Sequence, residues 1–499
     1  MSNLLYDALF AAGAPDAPSI ESRFTFAELE RETARWAAAI AGLGVKPGDR
    51  IAVQVEKSVA NLVLYLAALR VGAVYLPLNT AYTLAELGYF ISDAEPALIV
   101  CDPAQRESVT VLAGGARVET LNREGEGSLA DLARTAPDGF ETVARGASDL
   151  AAICYTSGTT GRSKGAMLTH GALHANAATL VREWRFTAAD VLLHALPIYH
   201  VHGLFVATHT AMMAGGSMIL QPRFDPAEVL AALPRASVMM GVPTFYTRLL
   251  AQPALTAEAT RYMRLFVSGS APLLAATHRE WRARTGQAIL ERYGMTETGM
   301  NASNPYDGPR LAGAVGPALP GVALRIVGEG GEALAAGEAG LVEVKGPNLF
   351  AGYWRNPEKT AAAFTADRWF RTGDLGRIDE RGYLWLVGRA SDLIISGGLN
   401  VYPAEVEAAI DAAPGVVESA VIGLPHADLG EAVTAVVVAR AELTEADVLA
   451  ALSERLARFK QPRRVIFVSA LPRNAMGKVT KANLRAEHAA LYDASATAV

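Results

Sequence analysis

Apolar and polar positions in the first third of the chain recur with the spacing of helices that alternate with strands. Residues 25–28 have the Thr-x-x-Glu spacing of a capping box, which predicts a helix that ends near Gly44. An apolar run at residues 50–55 then predicts a strand. The same capping-box spacing at residues 83–86 predicts another helix, and residues 97–101 predict the strand after it. This alternation indicates a doubly wound α/β architecture.

Three other segments of the chain show different patterns. Residues 62–78 are strongly apolar, but a charge, a glycine and a proline interrupt them, so they predict a buried helix that leads into a strand rather than a membrane span. Short strand-like runs with Gly-rich turns between residues 315 and 386 predict a small β subdomain. The helix and strand patterns of the last hundred or so residues predict a separate α+β domain.

A glycine-containing turn from residue 388 to residue 392 separates these parts of the chain. Residues 1–390 are predicted to form a large N-terminal domain of doubly wound α/β subdomains plus the small β subdomain. Residues 391–499 are predicted to form a mobile α+β C-terminal domain, with the turn at Arg389 to Asp392 acting as the hinge.

Composition and charge narrow the class of protein. Of the 499 residues, 51% are hydrophobic and 19% are charged, which is typical of a large globular enzyme. The net charge of −6 and the lack of a basic tail argue against a nucleic-acid partner. The first residues carry no basic leader, and Cys101 and Cys154 both lie in apolar runs. We therefore expect a cytoplasmic protein with reduced thiols, no membrane attachment and no zinc site.

The segment YTSGTTGRSKG at residues 155–165 is the most informative candidate for chemistry. Its glycines, hydroxyls and lysine suit a loop whose N–H groups and hydroxyls wrap a polyphosphate. The residues flanking Lys164 differ from those of a Walker loop. The alternative, a flexible surface turn, explains the glycines but not the density of hydroxyls. The candidate nucleotide-binding residues are Thr156, Ser157, Gly158, Thr159, Thr160, Gly161 and Lys164.

Four further charged residues stand in or beside other turns. Glu297, in the sequence YGMTE, is a candidate ligand for Mg²⁺, which prefers one or two carboxylates together with phosphate oxygens. Asp374, which follows RTG, is a candidate acceptor for two ribose hydroxyls, and Arg389 for contact with phosphate or ribose. Lys478 ends the loop PRNAMGK. Taken alone, Glu297 and Lys478 are better explained as solvated surface residues.

Taken together, these segments identify a family. Five motifs resemble those of the adenylate-forming superfamily of acyl-CoA synthetases, luciferases and nonribosomal adenylation domains, both in sequence and in order: YTSGTTGRSKG, YGMTE, RTGD, GRxSD and PRNAMGK. The resemblance extends from about residue 24 to residue 481. The resemblance implies a two-step reaction with ATP, Mg²⁺ and coenzyme A. A carboxylate attacks the α-phosphate of ATP to form an acyl-adenylate and pyrophosphate, and a thiol then displaces AMP.

The resemblance also implies roles for individual residues. Lys478 would bridge the substrate carboxylate and the phosphate, Asp374 and Arg389 would bind the ribose, and Thr156 with Glu297 would hold the metal ion. Residues that would surround the adenine and its phosphates are Ser270, Ala271, Pro272, Tyr293, Gly294, Met295 and Thr296. The turn that would line the coenzyme A tunnel is Gly397, Gly398 and Leu399. Ser391 departs from the family, where Asp or Lys is common at the hinge.

Within the superfamily, the sequence is most similar to that of malonyl-CoA synthetases at residues 75–83, 194–203 and 268–281. Malonate brings a second carboxylate into an acyl pocket, and burying it without a partner costs several kcal/mol, so such a pocket needs a fixed cation. Arg279 is the candidate, and the alternative is that it belongs to a solvated helix face. His200 is a candidate between the acyl pocket and the tunnel, with a structural histidine as the alternative.

The leading hypothesis is an ATP-dependent malonyl-CoA synthetase that also accepts methylmalonate. The alternatives are a synthetase for a neutral short- or medium-chain acid and a ligase that loads a carrier protein. A non-catalytic nucleotide-binding protein is disfavoured by the presence of Lys478, Asp374 and Glu297. We further predict that acetylation of Lys478 switches adenylation off by removing its charge, with a protein acetyltransferase and a deacetylase as the partners that act on this lysine.

Overall fold

The structure, a computed structural model, describes residues 2–156, 163–397, 399–426, 428–440, 442–453, 455–474 and 477–492. The first strands along the chain are β1 (Pro18–Ile20), β2 (Phe24–Thr25), β3 (Arg50–Gln54), β4 (Val74–Pro77), β5 (Leu98–Cys101) and β6 (Arg117–Thr120). The helices among them are α1 (Leu4–Phe10), α2 (Phe26–Gly42), α3 (Val59–Val71), α4 (Leu84–Ala94), α5 (Arg106–Leu112) and α6 (Ser128–Thr135).

The central part of the chain continues the alternation of helices and strands. Its strands are β7 (Leu150–Thr156), β8 (Lys164–Thr169), β9 (Val191–His194), β10 (Ser217–Leu220), β11 (Val238–Gly241), β12 (Leu265–Ser268), β13 (Leu290–Met295) and β14 (Gly299–Ser303). Its helices are α7 (His170–Glu183), α8 (Thr208–Met213), α9 (Pro226–Ala232), α10 (Pro243–Leu250) and α11 (Ala275–Thr285). A π-helix from His202 to Ala207 leads directly into α8.

The remaining elements are mostly strands. They are β15 (Ala323–Val327), β16 (Gly340–Lys345), β17 (Gly352–Tyr353), β18 (Phe370–Ile378) and β19 (Leu384–Arg389), with helix α12 (Pro357–Ala363). After residue 390 follow β20 (Ile394–Ser396), β21 (Leu399–Val401), β22 (Val416–His426), β23 (Gly430–Ala439) and β24 (Arg464–Phe467). The helices of this last part are α13 (Pro403–Asp411), α14 (Glu445–Leu452) and α15 (Lys481–Glu487).

The predicted helix starts are confirmed at atomic detail. At the start of α2, the Thr25 hydroxyl accepts from the Glu28 N–H at 3.2 Å, and the Glu28 carboxylate accepts from the Thr25 N–H at 2.8 Å. Thr83 and Glu86 form the same reciprocal pair at the start of α4. Both boxes satisfy N–H groups that the first turn of a helix leaves unpaired, which is why the sequence signature marks the boundary so well.

The long apolar stretch forms a buried helix followed by a strand, as predicted. Nearly every side chain of α3 is buried, so the helix lacks the polar face of a surface helix and lies within the core. It ends at Gly72, which adopts a left-handed conformation with φ of 76°. Among the described residues, no helix is both long and apolar enough to cross a bilayer.

Two mostly parallel sheets organise the N-terminal part of the chain. One runs in the order β17-β8-β7-β4-β3-β5-β6 and the other in the order β14-β13-β12-β11-β9-β10-β1-β2. The strands from β7 to β6 and from β13 to β1 pair in parallel, and antiparallel strands are added at the ends. Loops that carry the predicted motifs follow the carboxyl ends of β7 and β12, where open α/β sheets place their ligands.

Two smaller sheets complete the fold. The antiparallel sheet β15-β16-β18-β19 is the predicted β subdomain. Strands β21, β20, β23 and β22 form another sheet, with β24 parallel to β23 and helices α13 to α15 completing the α+β part. The predicted fold class, a large N-terminal α/β region with a β subdomain and a smaller α+β C-terminal domain, is confirmed.

Candidate active site

The base of the predicted phosphate loop is an antiparallel hairpin. Thr156, the last residue of β7, pairs with Lys164, the first residue of β8. The Lys164 ammonium lies 4.6 Å from the centre of the Tyr353 ring, a cation–π contact that holds the charge beside the hairpin. The predicted loop residues Ser157, Gly158, Thr159, Thr160 and Gly161 lie outside the described residues.

Glu297 lies in the turn between β13 and β14 and faces this hairpin. Its side chain is 5% exposed, and its Oε1 atom accepts hydrogen bonds from the Tyr353 hydroxyl at 3.1 Å and the Thr156 hydroxyl at 3.5 Å. Burial raises the pKa of Glu297 above its ordinary value. Sequence reasoning predicted Glu297 and Thr156 but missed Tyr353, which connects the carboxylate to Lys164.

These groups suit a magnesium ion that takes most of its ligands from phosphates and water. Thr156 and Glu297 offer one hydroxyl and one carboxylate, the limited donor set that Mg²⁺ uses beside nucleotides. In the part of the chain that the structure describes, no group of three or more His, Cys, Asp or Glu side chains is arranged to hold a metal ion on its own. The donor set therefore fits Mg²⁺ bound together with a nucleotide.

A second cluster surrounds Asp374. Its Oδ2 atom accepts from the Tyr293 hydroxyl at 2.5 Å, and its Oδ1 atom lies 2.9 Å from Nε of Arg389. Asp374 and Arg389 are paired across β18 and β19, so the sheet register sets this ion pair. The charge of Asp374 raises the pKa of Arg389. Burial is the main cause that raises the pKa of Tyr293, and Asp374 is the second. The structure thus brings together three residues that the sequence predicted separately.

The Lys478 loop of the C-terminal part reaches the N-terminal part of the chain. Asn474 and Lys478 exchange hydrogen bonds within the loop, with the Lys478 N–H donating to Oδ1 of Asn474 at 3.0 Å. Gly477 adopts φ of 74°, and a β-carbon on it would lie 3.4 Å from the hydroxyl oxygen of Thr244 on α10. This contact seats the loop against α10, and the left-handed conformation explains the glycine next to the lysine.

The half-buried Lys478 ammonium lies within electrostatic range of residues from both clusters. Burial and the charge of Arg389 lower its pKa, with Arg292 acting in the same direction, whereas Asp374 and Glu297 raise it. The charges of two carboxylates and two guanidinium groups therefore act on this lysine, an environment that suits a polyanion and a second acid. The structure therefore joins the predicted Lys478, Glu297, Asp374 and Arg389 into one site.

His200 and His202 form the wall of this site next to Lys478. The His202 N–H donates to Nδ1 of His200 at 3.3 Å, and Nδ1 of His202 lies 3.2 Å from the Ser270 hydroxyl. Burial lowers the pKa of His200 to about 3, assisted by the charges of Lys478 and Arg292. Ser270 has a positive φ of 71°, an uncommon conformation for serine that is typical of functional sites.

Arg292 on β13 is a second residue that sequence reasoning missed. It is 4% exposed, and its Nε and Nη2 atoms are buried without a hydrogen-bond partner among the described residues. A β-carbon on Gly269 would lie 2.3 Å from its guanidinium carbon, so only glycine allows the guanidinium to lie against this backbone. Burial lowers the pKa of Arg292 to about 9, which leaves the side chain charged at neutral pH. A buried cation with two unsatisfied nitrogen atoms in the described part of the chain, within electrostatic range of His200 and His202, suits an anionic ligand.

Arg279, the predicted cation of the acyl pocket, does not join this cluster. The buried side of α11 carries Thr277, His278 and Trp281. Arg279 is exposed, in agreement with the alternative that it belongs to a solvated helix face. The prediction was wrong about which arginine is buried because the helix periodicity turns Arg279 towards solvent. A signal for Arg292 was present, since a charged pair inside the buried strand before YGMTE is unusual.

The other predicted residues occupy different parts of the structure. Gly294 lies in the β13–β14 hairpin, where a β-carbon would be 2.0 Å from the carbonyl oxygen of Gly299. Half-buried residues at the site or its rim are Ala271, Met295 and Thr296, and Pro272 is exposed. Gly397 and Leu399 lie at the turn between β20 and β21, Leu399 is 48% exposed, and no described contact joins them to the site. Gly398 lies outside the described residues.

Comparison with known proteins explains why these residues converge. Residues 9–354 match the AMP-binding enzyme family, and residues 405–478 match the AMP-binding enzyme C-terminal domain. The chain belongs to the AMP-binding enzyme family. This membership confirms the resemblance inferred from the five motifs and the expectation of an enzyme that uses ATP and small-molecule substrates.

Enzymes that act on different acids are similar to this chain. It is 35% identical to a malonate–CoA ligase of Arabidopsis thaliana over 481 residues, covering 89% of this chain and 79% of the relative. It is 37% identical to a feruloyl-CoA synthase of Amycolatopsis sp. over 468 residues, covering 92% of this chain and 93% of the relative.

A solved member of the AMP-binding enzyme family is considerably more similar. ATP-bound MatB from Rhodopseudomonas palustris is 59% identical to this chain, with a TM-score of 0.97, and the match covers 99% of this chain and 100% of MatB. Apo MatB from the same organism, with the same identity and coverage, gives a TM-score of 0.87. The arrangement of this chain therefore resembles the ATP-bound form more than the apo form.

Proposed function

We propose that this enzyme is an ATP-dependent malonate–CoA ligase. In the first step a malonate carboxylate oxygen bonds to the α-phosphorus of ATP as the bond to pyrophosphate breaks. In the second step the thiol of coenzyme A, losing its proton, bonds to the carbonyl carbon of malonyl-adenylate as the bond to AMP breaks, which yields malonyl-CoA. The observation that carries the proposal is the unpaired, buried guanidinium of Arg292 beside His200 and Lys478.

An acid with two carboxylates fits this environment better than a neutral acyl chain. A hydrocarbon chain next to Arg292 would leave its buried N–H groups without partners, at a cost of about 1 to 3 kcal/mol or more for a charged group. The second carboxylate of malonate satisfies them, because the planar guanidinium matches a carboxylate with two parallel hydrogen bonds. Arg292 thus takes the role that the sequence assigned to Arg279.

The nucleotide would bind between the two remaining clusters. Asp374, held by Tyr293 and Arg389, would accept the ribose hydroxyls, and the Tyr293 ring would lie against the adenine. Lys164 would supply positive charge to the phosphates from the hairpin base. Lys478 would stand between the α-phosphate and the attacking carboxylate, where negative charge develops during adenylation.

The fit of the donor set supports Mg²⁺ at Thr156 and Glu297. When bound, the ion would neutralise charge on the phosphate oxygens and favour departure of pyrophosphate. Burial keeps water from competing for the Glu297 carboxylate, and the Tyr353 hydroxyl fixes its orientation. Burial raises the pKa of Glu297, and a bound cation would favour its charged form.

The second step would require the C-terminal domain, residues 391–499, to move. Lys478 lies in the site in this structure, which resembles ATP-bound MatB and suits adenylation. Rotation about the hinge near Ser391 would withdraw Lys478 and bring the Gly397–Gly398–Leu399 turn towards the site to line the thiol path. Acetylation of Lys478 by a protein acetyltransferase, and its reversal by a deacetylase, would switch the first step off and on.

The experiment that tests the function is a parallel assay of the wild-type enzyme with malonate, methylmalonate, acetate and octanoate. ATP, Mg²⁺ and coenzyme A are present throughout, and both pyrophosphate and thioester are measured. Preference for malonate with equal amounts of both products supports the proposal. Preference for acetate or octanoate would refute the dicarboxylate assignment. Pyrophosphate release with malonate but no coenzyme A thioester would indicate a carrier-protein thiol as the acceptor.

A further inference from the structure

Lys57 is a buried lysine that belongs to none of the recognised motifs. It follows β3, is 7% exposed, and its ammonium contacts no carboxylate among the described residues. Its Nζ atom instead lies 2.9 Å from Nδ1 of His194, 2.8 Å from the carbonyl oxygen of His194 and 2.8 Å from that of Leu196. These acceptors match the three donors of an ammonium group, so the side chain is fully satisfied.

The contacts of His194 fix its protonation. Because the Gly203 carbonyl can only accept, the proton of the neutral ring sits on Nε2, and Nδ1 accepts from Nζ of Lys57, whose pKa burial lowers. Nε2 lies 3.0 Å from the carbonyl oxygen of Gly203 and donates to it. Burial, with the charge of Lys57 as the second cause, lowers the pKa of His194, which keeps the ring neutral.

The Gly203 carbonyl links the Lys57–His194 pair to the π-helix. It accepts the i+5 hydrogen bond from the Thr208 N–H, a bond from the Thr208 hydroxyl at 3.1 Å and the bond from His194. A β-carbon on Gly203 would lie 2.0 Å from the carbonyl oxygen of Pro197, so the π-helix is packed tightly against the loop that Lys57 holds. Single π-turns are rare and occur often at functional sites.

We propose that Lys57 is a positioning residue of the acyl pocket: through His194 it fixes the Gly203 carbonyl and thereby the π-helix that presents His202 to Arg292. The π-helix begins at His202, whose ring lies 3.2 Å from the Ser270 hydroxyl and within electrostatic range of Arg292. The Arg292 guanidinium lies against Gly269, the chain neighbour of Ser270. Displacement of this turn would shift the wall facing the second carboxylate and leave the ribose cluster in place, because strands β13, β18 and β19 hold that cluster. The effect should therefore fall on the acid and not on ATP.

The test compares Lys57→Met with the matched control Lys46→Met, which makes the same change at an exposed lysine. Lys57→Met removes the donors and keeps a side chain of similar length. We expect the malonate KM to rise about tenfold or more, with the ATP KM changed by less than about threefold, because a displaced wall misplaces only the acid. Lys46→Met should leave both values at the wild-type level.

Thr208→Val provides a second variant that keeps Lys57 in place and removes the hydroxyl with its bond to the Gly203 carbonyl and its 3.2 Å contact with Nε2 of His194. It should show the same split between the two KM values with a smaller rise, and it decides the question if Lys57→Met does not fold. Equal changes in both KM values, or an unchanged malonate KM in either folded variant, would overturn the positioning role.

This inference rests on the proposed function, but the two fail differently. A wild-type enzyme that prefers another acid refutes the malonate assignment. The role of Lys57 is then tested by the same comparison of KM values with the preferred acid.

Discussion

Replacing Arg292 with methionine is the perturbation that probes the acyl pocket most sharply. Methionine preserves much of the volume and removes the charge and every donor. Arg279→Met is the matched control, because it makes the same chemical change at the exposed arginine that the sequence favoured. The pair therefore separates the loss of a buried cation from the loss of positive charge in general.

The expected size of the effect follows from the burial of Arg292. Burial lowers its pKa to about 9 from the ordinary value of about 12.5, so the desolvated cation carries a penalty of about 5 kcal/mol at 1.36 kcal/mol per decade. The second carboxylate of malonate offsets part of this penalty by pairing with it. Removing one partner of a buried charge pair costs about 2 to 5 kcal/mol, which is about 30- to 5,000-fold in kcat/KM for malonate.

Steady-state kinetics with malonate and ATP varied in turn provide the assay. Arg292→Met should lose at least about 30-fold in kcat/KM for malonate with an ATP KM near the wild-type value, and Arg279→Met should lose less than about threefold. Activity with butyrate should survive in Arg292→Met, since no buried cation then opposes an apolar chain. A folded Arg292→Met enzyme that uses malonate like wild type, or an equal loss in Arg279→Met, would refute the reasoning.

Three further predictions concern charge and pH. Lys478→Ala should lower malonate-dependent ATP–pyrophosphate exchange about 10²- to 10³-fold, and homogeneous acetylation of Lys478 should do the same; full exchange in either sample would contradict its role in adenylation. The ratio of kcat/KM for malonate to that for butyrate should fall as pH rises through about 9, where Arg292 loses its proton, whereas a flat ratio would argue against a charged Arg292. Burial lowers the pKa of His170 to about 4 and of His209 to about 3, so below pH 6.5 the unfolded chain binds protons that the native state excludes. Each histidine should then cost about 2 kcal/mol of unfolding free energy between pH 7 and pH 5, and His209→Gln should remove its share of this pH dependence in chemical denaturation.

Local signals predicted the elements of the fold well because their causes are local. The capping boxes at Thr25 and Thr83 each lie within four residues and satisfy the helix N–H groups directly. The interrupted apolar stretch predicted α3 because a helix that is apolar on all sides belongs in a core. The order of motifs identified the family, and the structure then brought Glu297, Asp374 and Lys478 together.

Contacts between distant segments were not predictable in the same way. Arg279 and Arg292 are 13 positions apart, and only the turn of α11 and the side-chain alternation along β13 determine which one is buried. Lys57 and His194 are 137 residues apart, and Lys57 follows a strand of one sheet whereas His194 ends a strand of the other, so no periodicity in either segment signals their contact. The position of Tyr353 beside the metal-binding candidates was also not predictable from local sequence, because it depends on the pairing of β17 with β8.

The most direct test of the central claim compares malonate with malonamate in the wild-type enzyme. The two acids have nearly the same shape, but malonamate carries a neutral amide in place of the second carboxylate. The account predicts a kcat/KM for malonate at least about 30-fold higher, because only the carboxylate pairs with the buried charge of Arg292. Equal kcat/KM values for the two acids would contradict a pocket built for a dicarboxylate.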